Sequence, residues 1–280
     1  MCIPDSLSNH IILLSLPHQI MKTFVQLLIN EFIKLVSTKR IILLSFTIVL
    51  FFIALFPITA REKFLKVASS FVLENNPYIG FYYSTYFFFS IFFMIVLNFL
   101  VFFLFSTEQN NHTWKYLYVL PVERWKIWLS KYIIGVGFSF FVLCLGLLLT
   151  ILSSFLLPYF IISMHSSGFD MDFYFIFRLF SKLFIVSLYI VIFHLILVFF
   201  IKKRAILLLL NIFLPIISHY RFLYFLPYSF PVQILLFENY YKVETGKYAD
   251  LWGWFEIISI SLTLSIGYAI YYGYQKLEEN

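Results

Sequence analysis

Charge is what this sequence has least of. Only 12% of its 280 residues are Asp, Glu, Lys or Arg, against 62% hydrophobic and 22% aromatic; a soluble chain carries about 25% charged and about 45–50% apolar residues. Too little polar material remains to coat a water-facing surface, so a soluble globular fold and a disordered chain are both excluded. The two cysteines, Cys2 and Cys144, cannot build a disulfide framework, and Cys144 lies in an apolar run where a lone thiol is a small packing residue. The 9 glycines hold no G-x-x-x-x-G-K-[ST] loop, since Gly246-Lys247 has Tyr241 where the first glycine should be. The chain therefore has no phosphate cradle of that kind. H-E-x-x-H, G-x-S-x-G and C-x-x-C are missing as well, which removes the common routes to a bound metal or an activated nucleophile. No carboxylate or arginine ladder interrupts the middle of an apolar run, which argues against a proton-coupled carrier and a voltage sensor.

What is present is a series of long apolar runs, with a mean hydropathy of +0.91. A spanning helix needs about 20 mostly apolar residues to cross roughly 30 Å of hydrocarbon. Six candidates meet or approach that length: about 41–58, 81–105, 132–160, 183–201, 205–218 and 255–274. The fifth is short, with Asn211 and Pro215 inside it. The apolar stretch after it, Phe222 to Phe237, is cut by Pro227 and Pro231, which remove backbone donors. This region reads as a short span followed by a partly inserted hairpin, with a single kinked span and an ordinary loop as the alternative.

Basic residues set the orientation. Lys34, Lys39, Arg40, Lys115, Arg124, Lys126, Lys131 and the Lys202-Lys203-Arg204 connection share one side of this topology. Both termini are expected on that side, in the cytoplasm. The net charge of +6 is thus read as topology, and no nucleic-acid partner is expected. Residues 1–20 form an N-terminal extension without Lys or Arg and do not read as a secretory signal; Met21 before Lys22 is an alternative start. From 21 to 38, Thr23, Gln26, Asn30, Lys34 and Ser37 recur at spacings of three and four opposite Phe24, Leu27, Leu28, Phe32 and Leu35. That spacing predicts an amphipathic helix lying in the membrane interface. The remaining 39–280 form the membrane domain.

Polar side chains within spans mark functional sites by default, which brings forward Asn98, His194 and Asn211. Each also has a structural reading, as a hydrogen-bond partner of a neighbouring helix. Small-residue stripes, Ser265-Ala269-Gly273 in span six and Gly135-Ser139 in span three, suit close helix approach within one chain or between two.

The segment Thr107 to Lys131, TEQNNHTWKYLYVLPVERWKIWLSK, is the most polar part of the inner face. Glu108 to Tyr118 reads as a short helix with Glu108 placed to cap its start and Trp114, Leu117 and Tyr118 on one side. Pro121 ends it, and a second helix from Val122 runs unbroken into span three. This pattern resembles the permease subunits of the type 2 ATP-binding-cassette (ABC) transporter family, in which a span-two acid, a Thr-Trp pair, a Leu-Pro-x-x-Arg turn and a Lys at the head of span three form a coupling elbow. Here those positions are Glu108, Thr113-Trp114, Leu120-Pro121, Arg124 and Lys131. Asn30 to Leu35, NEFIKL, resembles the family's interfacial helix.

The resemblance implies an all-α integral membrane protein: six transmembrane helices, an N-terminal interfacial amphipathic helix, a cytoplasmic coupling elbow between helices two and three, and a re-entrant extracellular hairpin between helices five and six. It further implies a non-enzymatic permease subunit, with no cofactor on this chain and ATP on a separate ATP-binding-cassette ATPase. A second permease subunit, identical or related, and membrane lipid would be its other partners, in the cell or inner membrane. Only about 22 residues join spans one and two, so variants with a large extracellular domain fit less well. Export is the expected direction, because the smaller family members that resemble this chain serve export or self-protection. Two other classes stay open: a membrane-embedded lipid-modifying enzyme using His194 or the Asp170/Asp172 pair, and a non-transporting assembly or sensor subunit.

Overall fold

A computed structural model of the chain describes residues 24–34, 36, 39–60, 77–110, 123–160, 171–201, 204–217, 226–245 and 253–278. All regular structure among them is helical. Helix α1 covers 24–34. It is followed by α2 (Arg40–Thr59), α3 (Pro77–Asn110), α4 (Arg124–Phe160), α5 (Phe173–Phe200) and α6 (Arg204–Ile217). A 3-10 turn at Pro227–Ser229 leads into α7 (Phe230–Thr245), and α8 (Trp254–Glu278) closes the described chain.

Among the described residues five helices are long and apolar enough to cross a membrane: Ile42–Thr59, Pro77–Leu104, Arg124–Phe160, Phe173–Val198 and Trp254–Gly273. The expected fifth span is the short one, α6, with Ile206–Ile217 as its apolar part. At 1.5 Å per residue its 14 residues reach only about 21 Å, less than the hydrocarbon thickness.

Several helices outrun the apolar runs that announced them. α3 continues to Asn110, so Glu108 lies in its last turn and not at the head of a separate helix; the expected cap is corrected by that continuation. α4 begins at Arg124, and the unbroken run into the third span is observed over 37 residues. α5 begins at Phe173, ten residues before the expected 183, and so takes Arg178 and Lys182 into the helix. Pro227 and Pro231 do not break a helix. Pro227 opens the 3-10 turn and Pro231 sits in the first turn of α7, where a missing amide donor has no helical partner to lose.

α3 and α5 are the central helices, and α4, α6, α7 and α8 pack around them. Their contact is an aromatic seam: the Phe89 and Phe180 rings stack at 5.2 Å, and Tyr86 meets Phe180 edge-on at 6.2 Å. Small residues let α4 approach both. A Cβ on Gly135 would come 2.8 Å from Val191, and one on Gly146 would fall within 3.0 Å of three atoms of the Phe89 ring. Ser139 Oγ bonds Ser187 Oγ at 2.6 Å, so the Gly135-Ser139 stripe serves packing within the chain. The stripe of α8 differs: Ser265, Ala269 and Gly273 are all exposed.

α2 is apolar all round, as a span must be. Leu44, Ile48, Phe52 and Leu55 are buried while Ile42, Leu43, Phe46, Leu50 and Ile53 face outward. α1 meets α2 at Lys39, whose φ of 55° is left-handed, a turn few non-glycine residues adopt. On α1 the inward stripe is Phe24, Leu27, Leu28, Glu31 and Lys34, with Val25, Ile29, Phe32 and Ile33 exposed.

Candidate functional site

Lys131 belongs to the first third of α4, yet only 1% of it is exposed. Its Nζ lies 3.1 Å from Glu31 Oε2 on α1 and donates to the carbonyl of Leu104 on α3 at 3.2 Å. Glu31, itself 3% exposed, also accepts from Lys34 Nζ at 2.8 Å. One ammonium group therefore joins α1, the later part of α3 and the beginning of α4. Burial pushes the Glu31 carboxyl up, but the two lysines outweigh it and hold the group below its ordinary value of 4.5.

A few residues away, Glu123 precedes α4. Its carboxylate accepts from Lys126 Nζ at 2.6 Å and from Trp125 Nε1 at 2.5 Å, which lowers its pKa, the Lys126 bond most of all. Lys126, read from sequence as a positive anchor, is thus tied down and nearly buried. Arg124 opens α4 and is partly exposed. Of the other elbow residues, Thr113, Trp114, Leu117, Tyr118 and Pro121 lie outside the described residues, as does the side chain of Glu108.

The three intramembrane polar candidates come together. Asn98 on α3, His194 on α5 and Asn211 on α6 are all essentially unexposed. Asn98 Nδ2 donates to the Asn211 carbonyl at 3.3 Å. His194 Nδ1 lies 2.8 Å from the hydroxyl of Tyr228, in the turn before α7; which group donates follows from the imidazole tautomer. Asn211 also faces His194, and Asn98 faces Tyr228. Even so, His194 Nε2, Asn98 Oδ1 and both polar atoms of the Asn211 side chain complete no hydrogen bond among the described residues. Tyr228 was not singled out from sequence, where it is one of 20 tyrosines.

A second buried cluster was missed altogether. Arg178 and Lys182 on α5, Glu238 on α7 and Glu256 on α8 are exposed by 6%, 1%, 1% and 1%. Glu238 Oε1 receives Lys182 Nζ at 2.6 Å and Arg178 Nε and Nη2 at 3.1 and 3.2 Å. The expectation of no buried carboxylate fails here. The signal was in the sequence: two cations at i and i+4 interrupt the apolar run of α5, and buried cations need acids.

Asp172, offered above as a catalytic candidate, accepts from the Phe175 amide at 3.0 Å and caps α5. Its neighbour Asp170 lies outside the described residues. Among the described residues no three His, Cys, Asp or Glu side chains gather as metal ligands.

The comparison with protein families decides the class. A model described as ABC-2 family transporter protein matches residues 27–218, more than half of the chain. The chain belongs to the ABC-2 transporter family. No curated protein and no solved structure matches it. In this ABC-2 permease the matched region opens within α1 and ends just after α6, so it takes in Glu31, Lys131, Asn98, His194 and Asn211. Glu238 and Glu256 lie beyond it.

Proposed function

We propose that this ABC-2 membrane protein is the permease subunit of an exporter, driven by a separate ATPase that grips Thr107 to Lys131 from the cytoplasm. The observation that supports the reading best is the buried Lys131 junction. The elbow segment enters from α3 and leaves into α4, and both helices are fastened to each other and to α1 beside it. Motion applied to the elbow would thus reach the interfacial helix and two spans together, as a rigid-body shift between two states. Trp114, Leu117 and Tyr118 supply the apolar anchor and Arg124 the charged contact, residue types that dominate such interfaces. A second permease subunit completes the substrate path, with α6 as the short fifth span and the turn at Tyr228 with α7 in the extracellular re-entrant hairpin that follows it.

Co-expression with the ATPase tests this. The two chains should co-purify, and replacing Trp114 and Arg124 together by alanine should leave folding intact while transport falls and ATP hydrolysis no longer responds to substrate. Undiminished transport by that double variant would remove these residues from the coupling surface. Lipid turnover by the isolated chain would replace the permease reading with an enzymatic one.

A further inference from the structure

The four buried charges at the far ends of α5, α7 and α8 take no part in coupling, because they lie at the opposite end of the bundle from Arg124 and Lys131. α4 starts at that junction and ends at Phe160, and α5 starts on the other side at Phe173. The turn at Tyr228 meets His194, deep along α5, and ten residues later Glu238 meets Arg178 and Lys182 near its beginning. α7 therefore runs antiparallel to α5 and is pinned to it just before its start and at its middle.

The outer pin is uneven. Oε1 of Glu238 receives three donors, whereas its Oε2 and both oxygens of Glu256 complete no hydrogen bond among the described residues. Lys182 Nζ stands between the two acids, 2.6 Å from Glu238 and 3.5 Å from Glu256. Tyr86, the neighbouring polar group on α3, is occupied by the Pro231 carbonyl at 3.3 Å. Glu256 sits in the first turn of α8, where the helix dipole favours a carboxylate. Gly253 leaves room for it, since a Cβ there would come 2.6 Å from Glu256 Oε2 and 3.8 Å from Lys182 Nζ.

We propose that Lys182 is a transferable latch: it holds α7 closed through Glu238 and passes to Glu256 when α7 tilts about the Arg178–Glu238 contact that remains. Buried ion pairs add little stability over apolar packing, but an orphaned buried charge is strongly unfavourable. In the closed state one carboxylate holds two cations while the other is held loosely. After the transfer Arg178–Glu238 and Lys182–Glu256 form two separate pairs, so the hairpin moves without stranding a charge. That makes α7 a bistable element. The gate role rests on the permease reading, whereas the transfer itself is measurable on the chain alone.

The test uses the full chain with Cys2 and Cys144 changed to Ser and spin labels on Phe177→Cys of α5 and Leu236→Cys of α7, both exposed positions, in lipid nanodiscs without ATPase or nucleotide. The closed, short distance should dominate, with the open state a minor population, of the order of 0.1–10%. Glu238→Gln should make the longer distance the major one, and Glu238→Gln with Gly253→Ala should reverse that shift by crowding Glu256. An unchanged distance in Glu238→Gln overturns the latch. So does a lengthening that Gly253→Ala leaves untouched, since general loosening would not depend on room around Glu256. If Glu238→Gln does not fold, Lys182→Met carries the test: it should broaden the distribution, and an unaltered short distance overturns the proposal. Failure of the elbow experiment with success here would reject the ATPase reading and keep the latch.

Discussion

At the scale of single residues, the useful distinction is between polar groups that are partnered and those that are not. Glu31 is held below its ordinary pKa by Lys131 and Lys34, so the junction's contribution to stability is present above about pH 4.5 and is lost as pH falls through the lower, folded-state value. The thermal unfolding midpoint of the purified chain should therefore fall on acidification below that point, and Glu31→Gln should remove this part of the pH dependence. Glu31→Gln should also destabilise at neutral pH, because it strands a buried ammonium. His194 and Tyr228 make a second case. Tyr228→Phe leaves His194 Nδ1 without its partner and should cost about 1–3 kcal/mol, while Tyr228→Phe with His194→Leu removes both members and should cost less. Unfolding midpoints of the two variants check the order. Asn98, His194 and Asn211 were legible as residues worth naming because an apolar run makes polar side chains conspicuous. Tyr228 was not, since nothing in a tyrosine-rich sequence separates a buried hydroxyl from an interfacial one.

At the scale of elements, hydropathy located the helices but clipped their ends. It stops where charge or amide side chains begin, and α5 shows why that misleads. Arg178 and Lys182 look like loop residues until Glu238, sixty residues away, neutralises them inside the bundle. The i, i+4 cations hint that an acid is buried with them, but nothing local says that it is Glu238. The close approach of α3 and α4 was likewise half visible. Glycines in span three suggested proximity, but only the packed structure separates those that touch from those that do not. Gly146 is occupied by Phe89, which is fully buried and stacked against Phe93 and Phe180, so the ring has nowhere to move. Gly146→Ala should overpack the seam and destabilise by about 1–3 kcal/mol. Gly137, with nothing within 4 Å of its Cβ position, is the control. Gly137→Ala should be neutral or stabilising by up to about 1 kcal/mol, the helix-propensity difference. Equal losses at the two positions would mean that α4 does not lie against Phe89.

At the scale of the whole molecule, the two charge-bearing regions stand at opposite ends of the same bundle and differ in kind. The Lys131 junction has one cation serving two other helices, as suits a joint that transmits force. The Lys182 cluster has acceptor oxygens to spare, as suits a joint that moves. On the proposed permease reading, orientation decides which one meets the ATPase, and the basic residues around Arg124 and Lys131 argue for that end. A single-cysteine series on the Cys2→Ser, Cys144→Ser chain in intact cells resolves it with a thiol reagent that cannot cross the membrane. Thr113→Cys, in the elbow, should react only after permeabilisation. Asp170→Cys, between α4 and α5, should react at once, because an odd number of spans separates the two positions. The reverse pattern would put the Lys182 cluster on the cytoplasmic side and leave the elbow out of reach of any cytoplasmic motor, and the coupling scheme would have to be abandoned while the helical fold stood.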